Sequence, residues 1–386
     1  MTNFDIVPNR RNSNSIKWLR YPKDVLPMWV ADMDFPAPKP ILTALHKAAD
    51  HGVFGYEMPT PALKETVAAR MDNLYGWKIK PEAVVAVTGI VSGFSVAARI
   101  ACTPERGMLV QTPVYNEFHE VKNNIGIPQL DAPLIKHVDG NILSYEIDWD
   151  NFETQVKKAG MFLLCNPHNP LGIIFSRKEL LKMAKICIQN NVLIVSDEIH
   201  SELLLDGNSF TPLAKLSAEI ARHTITLIAP SKTFNVPGLF CGFAIITDKD
   251  LRERYEQEVN HLRMHVSSAG LIAAETAFSG QCDSWLKELR HYLTGNRDFL
   301  VEYVAENMPN VRLTIPDATY LGWLDFTQTG IVGSPYEFFL QNAKVAVSEG
   351  RIFGEGGEGH IRLNFGTSHK LLEQGLERMR KALRSL

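Results

Sequence analysis

The chain has 386 residues, of which 45% are hydrophobic and 22% charged, with a formal net charge of −3. That length predicts two or three domains, and that composition belongs to ordinary globular proteins. No basic block or stripe argues for a nucleic-acid partner, and no run of about twenty apolar residues predicts a membrane span. The opening segment, Met1 to Arg11, is polar and unlike a signal peptide. Cys102, Cys165, Cys187, Cys241 and Cys282 form no C-x-x-C pair and sit mostly in apolar segments. They read as small buried hydrophobes in a reducing cytoplasm rather than as a disulfide framework.

In chain order, the first helical pattern is Lys39–Asp50. From about residue 53 to 280, short apolar runs then alternate with longer amphipathic stretches. The runs are Val84–Val87, Met108–Gln111, Met161–Cys165, Val192–Ser196, Thr224–Ala229 and Cys241–Ile246. They are apolar throughout rather than alternating, as expected of strands covered on both faces. Arg177–Gln189 and Asp248–Met264 are among the helical stretches between them. This alternation predicts an α/β fold with a mostly parallel sheet between helices. The last third differs: a long helix over Asp283–Asn307, alternating strands at Thr319–Phe326 and His360–Phe365, and a final helix over Lys370–Leu386. It reads as a smaller α+β domain. The expected division is a large domain over 51–283 and a small one over 1–50 and 284–386, with the helix at Lys39–Asp50 packed onto the small domain.

In an open parallel sheet, ligands bind outside the carboxyl ends of the strands. Four runs are followed there by chemistry-bearing residues: Thr88-Gly-Ile-Val-Ser-Gly93 opening a helix, Asn166-Pro-His-Asn-Pro170, Asp197-Glu-Ile-His200, and Pro230-Ser-Lys-Thr-Phe-Asn235. One sheet edge thus collects an anion site, an amide, a carboxylate and a lysine. Pyridoxal phosphate requires this set: an imine-forming lysine, an acidic partner for the pyridine nitrogen, and a phosphate cradle. Lys232 is the candidate nucleophile and base, Asp197 the pyridine partner, and Asn169 the ligand of the ring 3′-oxygen. The N–H groups of Ile90 and Val91 at a helix start suit the phosphate, with Ser231 adding a hydroxyl. Tyr115, in Pro113-Val-Tyr-Asn-Glu-Phe118, is placed to stack on the ring.

At these residues the sequence resembles the fold-type I pyridoxal-phosphate enzymes of the class I/II aminotransferase superfamily, and within it the MalY/PatB-type cystathionine β-lyases, or C–S lyases. The matching segments are Leu26-Pro-Met-Trp-Val-Ala-Asp-Met-Asp-Phe35, Val53-Phe-Gly-Tyr56, Leu164-Cys-Asn-Pro-His-Asn-Pro-Leu-Gly172, Val195-Ser-Asp-Glu-Ile-His-Ser201, Ala229-Pro-Ser-Lys-Thr-Phe-Asn-Val-Pro-Gly-Leu239 and Arg362-Leu-Asn364. The resemblance implies a transferase-like fold with a seven-stranded sheet. It implies the roles given above for Lys232, Asp197, Asn169 and Tyr115, and it adds Arg362 as the grip on the substrate α-carboxylate. It implies that Tyr56 reaches the phosphate of a neighbouring subunit, hence a homodimer with shared sites. Two positions depart from the commoner aminotransferase pattern and fit the C–S lyase branch: His200, where a tyrosine is frequent, and Phe240, where an arginine often clamps the phosphate. His200 is expected near the cofactor, and Trp29 and Val30 at the substrate entrance or in N-terminal packing.

Each residue also has a plainer reading: a lysine after a strand usually faces solvent, and Asp197-Glu-Ile-His200 has the look of a helix cap. The ordered set, not any single member, carries the assignment. Two other motifs carry none. Gly354-Glu-Gly-Gly-Glu-Gly359 spells G-x-G-x-x-G but precedes a strand and has no room for a βαβ unit, so it reads as a loop. His261 and His265 sit at helical spacing without the glutamate or third ligand of a zinc site, so no metal is expected. The expected activity is a carbon–sulfur β-lyase acting on a small amino-acid substrate, cystathionine or a related cysteine S-conjugate. The alternatives are an aminotransferase using the same pocket and a non-catalytic pyridoxal-phosphate-binding regulator.

Overall fold

In the computed structural model, which describes residues 2–205 and 207–386, the six apolar runs are strands of one seven-stranded sheet. The seventh strand is the short edge strand Gln129–Asp131. Across the sheet the order is Val84–Val87, Gly242–Ile245, Thr224–Ile228, Leu193–Asp197, Ala159–Cys165, Gly107–Val110 and Gln129–Asp131. Only Gly242–Ile245 runs against its neighbours. All the others therefore point their carboxyl ends to one edge. Alternate residues feed opposite faces, as the strand period of two requires. Met161, Leu163 and Cys165 pack in one buried cluster with Phe94 and Val195. Phe162 and Leu164 pack in another with Leu180 and Met183. Covering both faces in this way is why these strands read as unbroken apolar runs.

The helices at Arg177–Gln189 and Asp283–Asn307 have the bounds read from sequence. The first is fixed by a capping box in which Ser176 and Glu179 satisfy each other's backbone N–H groups. The helix expected over Asp248–Met264 stops at His261, and Arg263 follows in the left-handed region at φ 51°. His261 and His265 therefore do not share a helix.

The expected domain division needs two corrections. First, the hairpin Leu134–Asp139 and Ile142–Ile147, numerically inside the large domain, belongs to a second sheet. The order there is Ser348–Glu349, His360–Asn364, Leu321–Asp325, Arg312–Leu313, Ile142–Ile147 and Leu134–Asp139. Leu134, Leu143 and Ile147 are the buried side of the hairpin, and they pack with Phe162 of the large sheet and Trp323 of the second. A hairpin with one apolar face gains more by bridging two sheets than by extending one. Second, the helix Lys39–His51 packs chiefly on Ser268–Phe278 of the large region. That partner is apolar on nearly every side (Ser-Ala-Gly-Leu-Ile-Ala-Ala-Glu-Thr-Ala-Phe) and needs cover on several faces. Its Phe278 ring meets Phe243 of the large sheet at 5.9 Å. The segment just before that helix does join the C-terminal region, where Leu26–Pro27 pairs in parallel with Val345–Ala346.

Candidate active site

A cavity of about 240 Å³ opens at the carboxyl edge of the large sheet. Val84–Val87 leads into it through Thr88 and Gly89 to the helix Ile90–Ala101. Gly89 has φ 153°, a conformation that favours glycine. No side chain caps this helix. Its first N–H groups, at Ile90, Val91 and Ser92 on the cavity wall, are left for a ligand at the positive end of the helix dipole. The Thr88 hydroxyl donates to Ser92 Oγ at 3.1 Å.

Thr224–Ile228 delivers the lysine. Pro230 opens a single helical turn, Pro230–Thr233, its fixed φ suiting a first helical position. Lys232 Nζ donates to the Ala31 carbonyl at 2.7 Å. Burial and the Arg362 charge lower its pKa to about 8, against the opposing pull of Asp32 and Asp197. Asp197 closes the next strand and is buried, with Oδ1 accepting from the Ile199 amide at 3.1 Å. Burial pushes its carboxyl up to about 7, while the Ile199 amide and Lys232 hold it down. Ser231 and Tyr115 line the same cavity.

Arg362 stands at the middle of His360–Asn364 and is 4% exposed. Its Nη1 donates to Asn169 Oδ1 at 3.0 Å, and its Nη2 to the Trp29 carbonyl at 3.0 Å and Ser348 Oγ at 3.2 Å. The guanidinium also lies 5.0 Å from the Phe353 ring centre. Burial lowers its pKa to about 10, so it stays cationic at neutral pH. His200 lines the cavity, is 2% exposed, and has a buried Nδ1 without a partner. Burial, Lys232 and Arg362 hold its pKa down at about 3, so the ring is a neutral imidazole.

One nucleophilic amine, one carboxylate and an open helix start therefore face one small space, and a buried arginine reaches its Asn169 wall. Residues 23–379 match the family described as Aminotransferase class I and II. The chain belongs to the class I and II aminotransferase family. It is 38% identical to cystathionine beta-lyase PatB of Bacillus subtilis, over 99% of this chain and 100% of that one. It is 32% identical to the cystathionine beta-lyase of Corynebacterium glutamicum, over 98% and 100%. Among solved structures, the PLP-bound C-S lyase from Staphylococcus hominis superimposes with a TM-score of 0.92 at 30% identity, covering 99% of this chain and 98% of that one. Cystalysin from Treponema denticola, which contains a pyridoxal 5′-phosphate cofactor, superimposes with a TM-score of 0.94 at 30% identity, covering 100% and 99%.

Of the site residues that the sequence indicates for a member of this family, Lys232, Asp197, Asn169, Tyr115, Ile90, Val91, Ser231 and His200 line the cavity. Arg362 joins them through Asn169. Tyr56 lies apart: it is fully exposed, beside the exposed Val53, Phe54 and Met58. The Trp29 ring is turned away to Tyr21 and Arg20, with Nε1 donating to the Lys17 carbonyl. Trp29 and Val30 instead offer their carbonyls, to Arg362 and to Asn364. Phe240, the position where an arginine is frequent in aminotransferases, lines the cavity as well, and so do Thr88, Ser92 and Cys165, to which the sequence assigned no role of their own. Phe240 also holds a left-handed φ of 48°, unusual for a bulky residue. The Ala31 carbonyl has no signal in the sequence, because a main-chain oxygen leaves no mark on residue identity.

Proposed function

We propose that this protein is a pyridoxal-phosphate-dependent carbon–sulfur β-lyase acting on cystathionine or a related cysteine S-conjugate. It releases a thiol, and with water yields pyruvate and ammonia. The observation that carries this reading is one cavity lined by Lys232, buried Asp197 and Asn169, the last bonded to buried Arg362, in a chain that matches C–S lyases end to end. The residues fit the cofactor. The uncapped helix start at Gly89–Val91 supplies unsatisfied N–H groups for a phosphate. A carboxyl as deeply buried as Asp197 is stabilised as an anion by a cationic ring nitrogen. His200 lines the same cavity, and its buried Nδ1 has no hydrogen-bond partner among the described residues. Bound there, pyridoxal phosphate supplies an electron sink for the pair left when the substrate α-proton is removed.

The chain's own residues then do four things. Arg362 fixes the α-carboxylate with a planar fork, which orients the α-carbon. Lys232, made a weaker base by burial, removes the α-proton near neutral pH and holds it on Nζ. Asp197 would hold a protonated ring nitrogen, and Asn169 would hold the 3′-oxygen. Tyr115 covers the ring face and limits water. Electrons from the α-carbon form the new bond to Cβ as the C–S bond breaks, and the departing sulfur takes a proton.

The homodimer belongs to the same reading. The exposed apolar segment at Val53, Phe54, Tyr56 and Met58 supports it, with Tyr56 completing the phosphate site of the second subunit. Five free cysteines support a cytoplasmic location. Among the described residues no helix is long and apolar enough to cross a membrane. The deciding experiment incubates the purified yellow protein with cystathionine and other cysteine S-conjugates without keto acid. Pyruvate formation is expected. Amino transfer that requires a keto acceptor, with no pyruvate from thioethers, overturns the assignment in favour of transamination.

A further inference from the structure

The segment Trp29–Asp34 touches the cavity at Ala31 and forms a strap whose main chain is bound by both Lys232 and Arg362. Its Trp29 carbonyl accepts from Arg362 Nη2 at 3.0 Å, and its Ala31 carbonyl accepts from Lys232 Nζ at 2.7 Å and from the buried Tyr320 hydroxyl at 2.9 Å. Each functional side chain has an asparagine close behind it that bonds the same strap. Asn364, two residues past Arg362, donates to the Val30 and Asp32 carbonyls at 2.6 and 2.7 Å. Asn235, three residues past Lys232, accepts from the Met33 amide at 3.0 Å and donates to the Met33 and Phe35 carbonyls at 2.9 and 2.6 Å. Asn364 is 1% exposed, and Asn235 holds a left-handed φ of 55°. Behind the strap, Asp34 takes Lys17, Arg10 and the Trp18 indole, which closes it from the third side.

We propose that Asn235 and Asn364 are positioning residues that act through this strap, setting the distance between the amine of Lys232 and the guanidinium of Arg362. The proposal rests on Lys232 and Arg362 as the reacting lysine and the carboxylate grip. The physical content is that two parts of the chain far apart in sequence share one rigid ruler, so disturbing either end is felt at the other. An ammonium donating to a carbonyl is stabilised in its charged form. A loosened strap therefore lowers the Lys232 pKa, set among the charges of Asp197, Asp32 and Arg362 and beside the neutral His200 ring.

The test uses Asn364→Ala and Asn235→Gly, both neutral, the second chosen because glycine tolerates the left-handed φ. In cofactor-free protein, reductive methylation of Lys232 is followed against pH by mass spectrometry. Asn364→Ala, on the arginine's strand, is expected to move the labelling midpoint of the lysine down by on the order of one pH unit. In the holoenzyme, Asn235→Gly, on the lysine's loop, is expected to raise KM on the order of tenfold as well as lower kcat. A Lys232 midpoint unchanged in Asn364→Ala, or an unchanged KM in Asn235→Gly, overturns the shared ruler. Should one variant not fold, the other carries both readouts. The labelling arm involves neither cofactor nor substrate, so it stands apart from the lyase reading. That reading fails separately if borohydride traps no cofactor on Lys232.

Discussion

The two walls of the cavity are built by opposite means. The sheet-edge wall is local: Thr224–Ile228 buries itself in the core and presents Lys232 four residues later, and Leu193–Asp197 does the same for Asp197. The strap wall, residues 29–34, is held by partners at 10, 17, 18, 232, 235, 320, 362 and 364. A wall anchored by its own core gives robust placement of chemical groups. A wall anchored from distant segments lets the protein couple them. Substitutions on the first wall should therefore remove chemistry and spare the fold, and those on the second should reach both.

The largest effect is expected at the first wall. Lys232→Ala removes the base and the imine-forming amine, and pyruvate release should fall by about 10⁴-fold. Far-UV circular dichroism should be unchanged, because among the described residues Nζ hydrogen-bonds to a single partner, the Ala31 carbonyl. A variant retaining a tenth of the activity sinks the assignment.

The strap should respond in stability. Asp34 is 3% exposed, paired with Lys17 at 2.9 Å and Arg10 at 2.9 Å. Burial alone would raise its carboxyl, but Lys17, the Trp18 indole and Arg10 prevail and hold it below the usual carboxylate range. Asp34→Asn leaves buried Lys17 with only its longer contact to Asp32, at 3.6 Å, and should cost about 3 kcal/mol in urea unfolding. The sign with pH follows. A depressed carboxyl contributes stability above the ordinary aspartate value of about 3.9 and loses it as pH falls through the lower folded value. Wild type should therefore lose more stability than Asp34→Asn on acidification in that range. Equal acid limbs break the contrast between the walls.

Arg362 sits where the walls meet. Arg362→Lys keeps the charge but loses the fork that reaches Asn169, Trp29 and Ser348 together. We expect kcat/KM to fall about a hundredfold, near 3 kcal/mol, with most of the change in KM. A change confined to kcat argues against the carboxylate grip.

The same contrast explains what was legible in the sequence. Lys232, Asp197 and Asn169 could be read because each follows an apolar run that must end at the sheet edge. The helix over Asp283–Asn307 was legible from its period. The hairpin 134–147 was misplaced because an alternating pattern tells which side is buried and not what buries it. The helix Lys39–His51 went to the wrong partner for the same reason. The strap's role was illegible since it uses carbonyl oxygens, which every residue has, and partners more than two hundred positions away.

The smallest expected effect lies behind the sheet-edge wall. His168 is 1% exposed, packs edge-on against Phe175 at 5.9 Å, and neither ring nitrogen has a hydrogen-bond partner of good geometry. Burial pulls its pKa down to about 4. The folded state then refuses a proton that the unfolded chain accepts below about 6.5, so stability falls as pH drops from there towards the folded value. Between about pH 7.5 and about pH 5 this single ring should cost about 2 kcal/mol. His168→Phe keeps the aromatic packing and removes two buried polar ring atoms at the cost of a weak contact with the Gln111 backbone, so its stability at neutral pH should stay close to wild type. The gap between variant and wild type in urea midpoint should then widen on acidification. If the two stability curves instead run parallel over that range, His168 takes a proton in the folded protein. The interior behind Asn169 would then be wet rather than dry, and the sheet-edge wall would be held by the same kind of polar network as the strap.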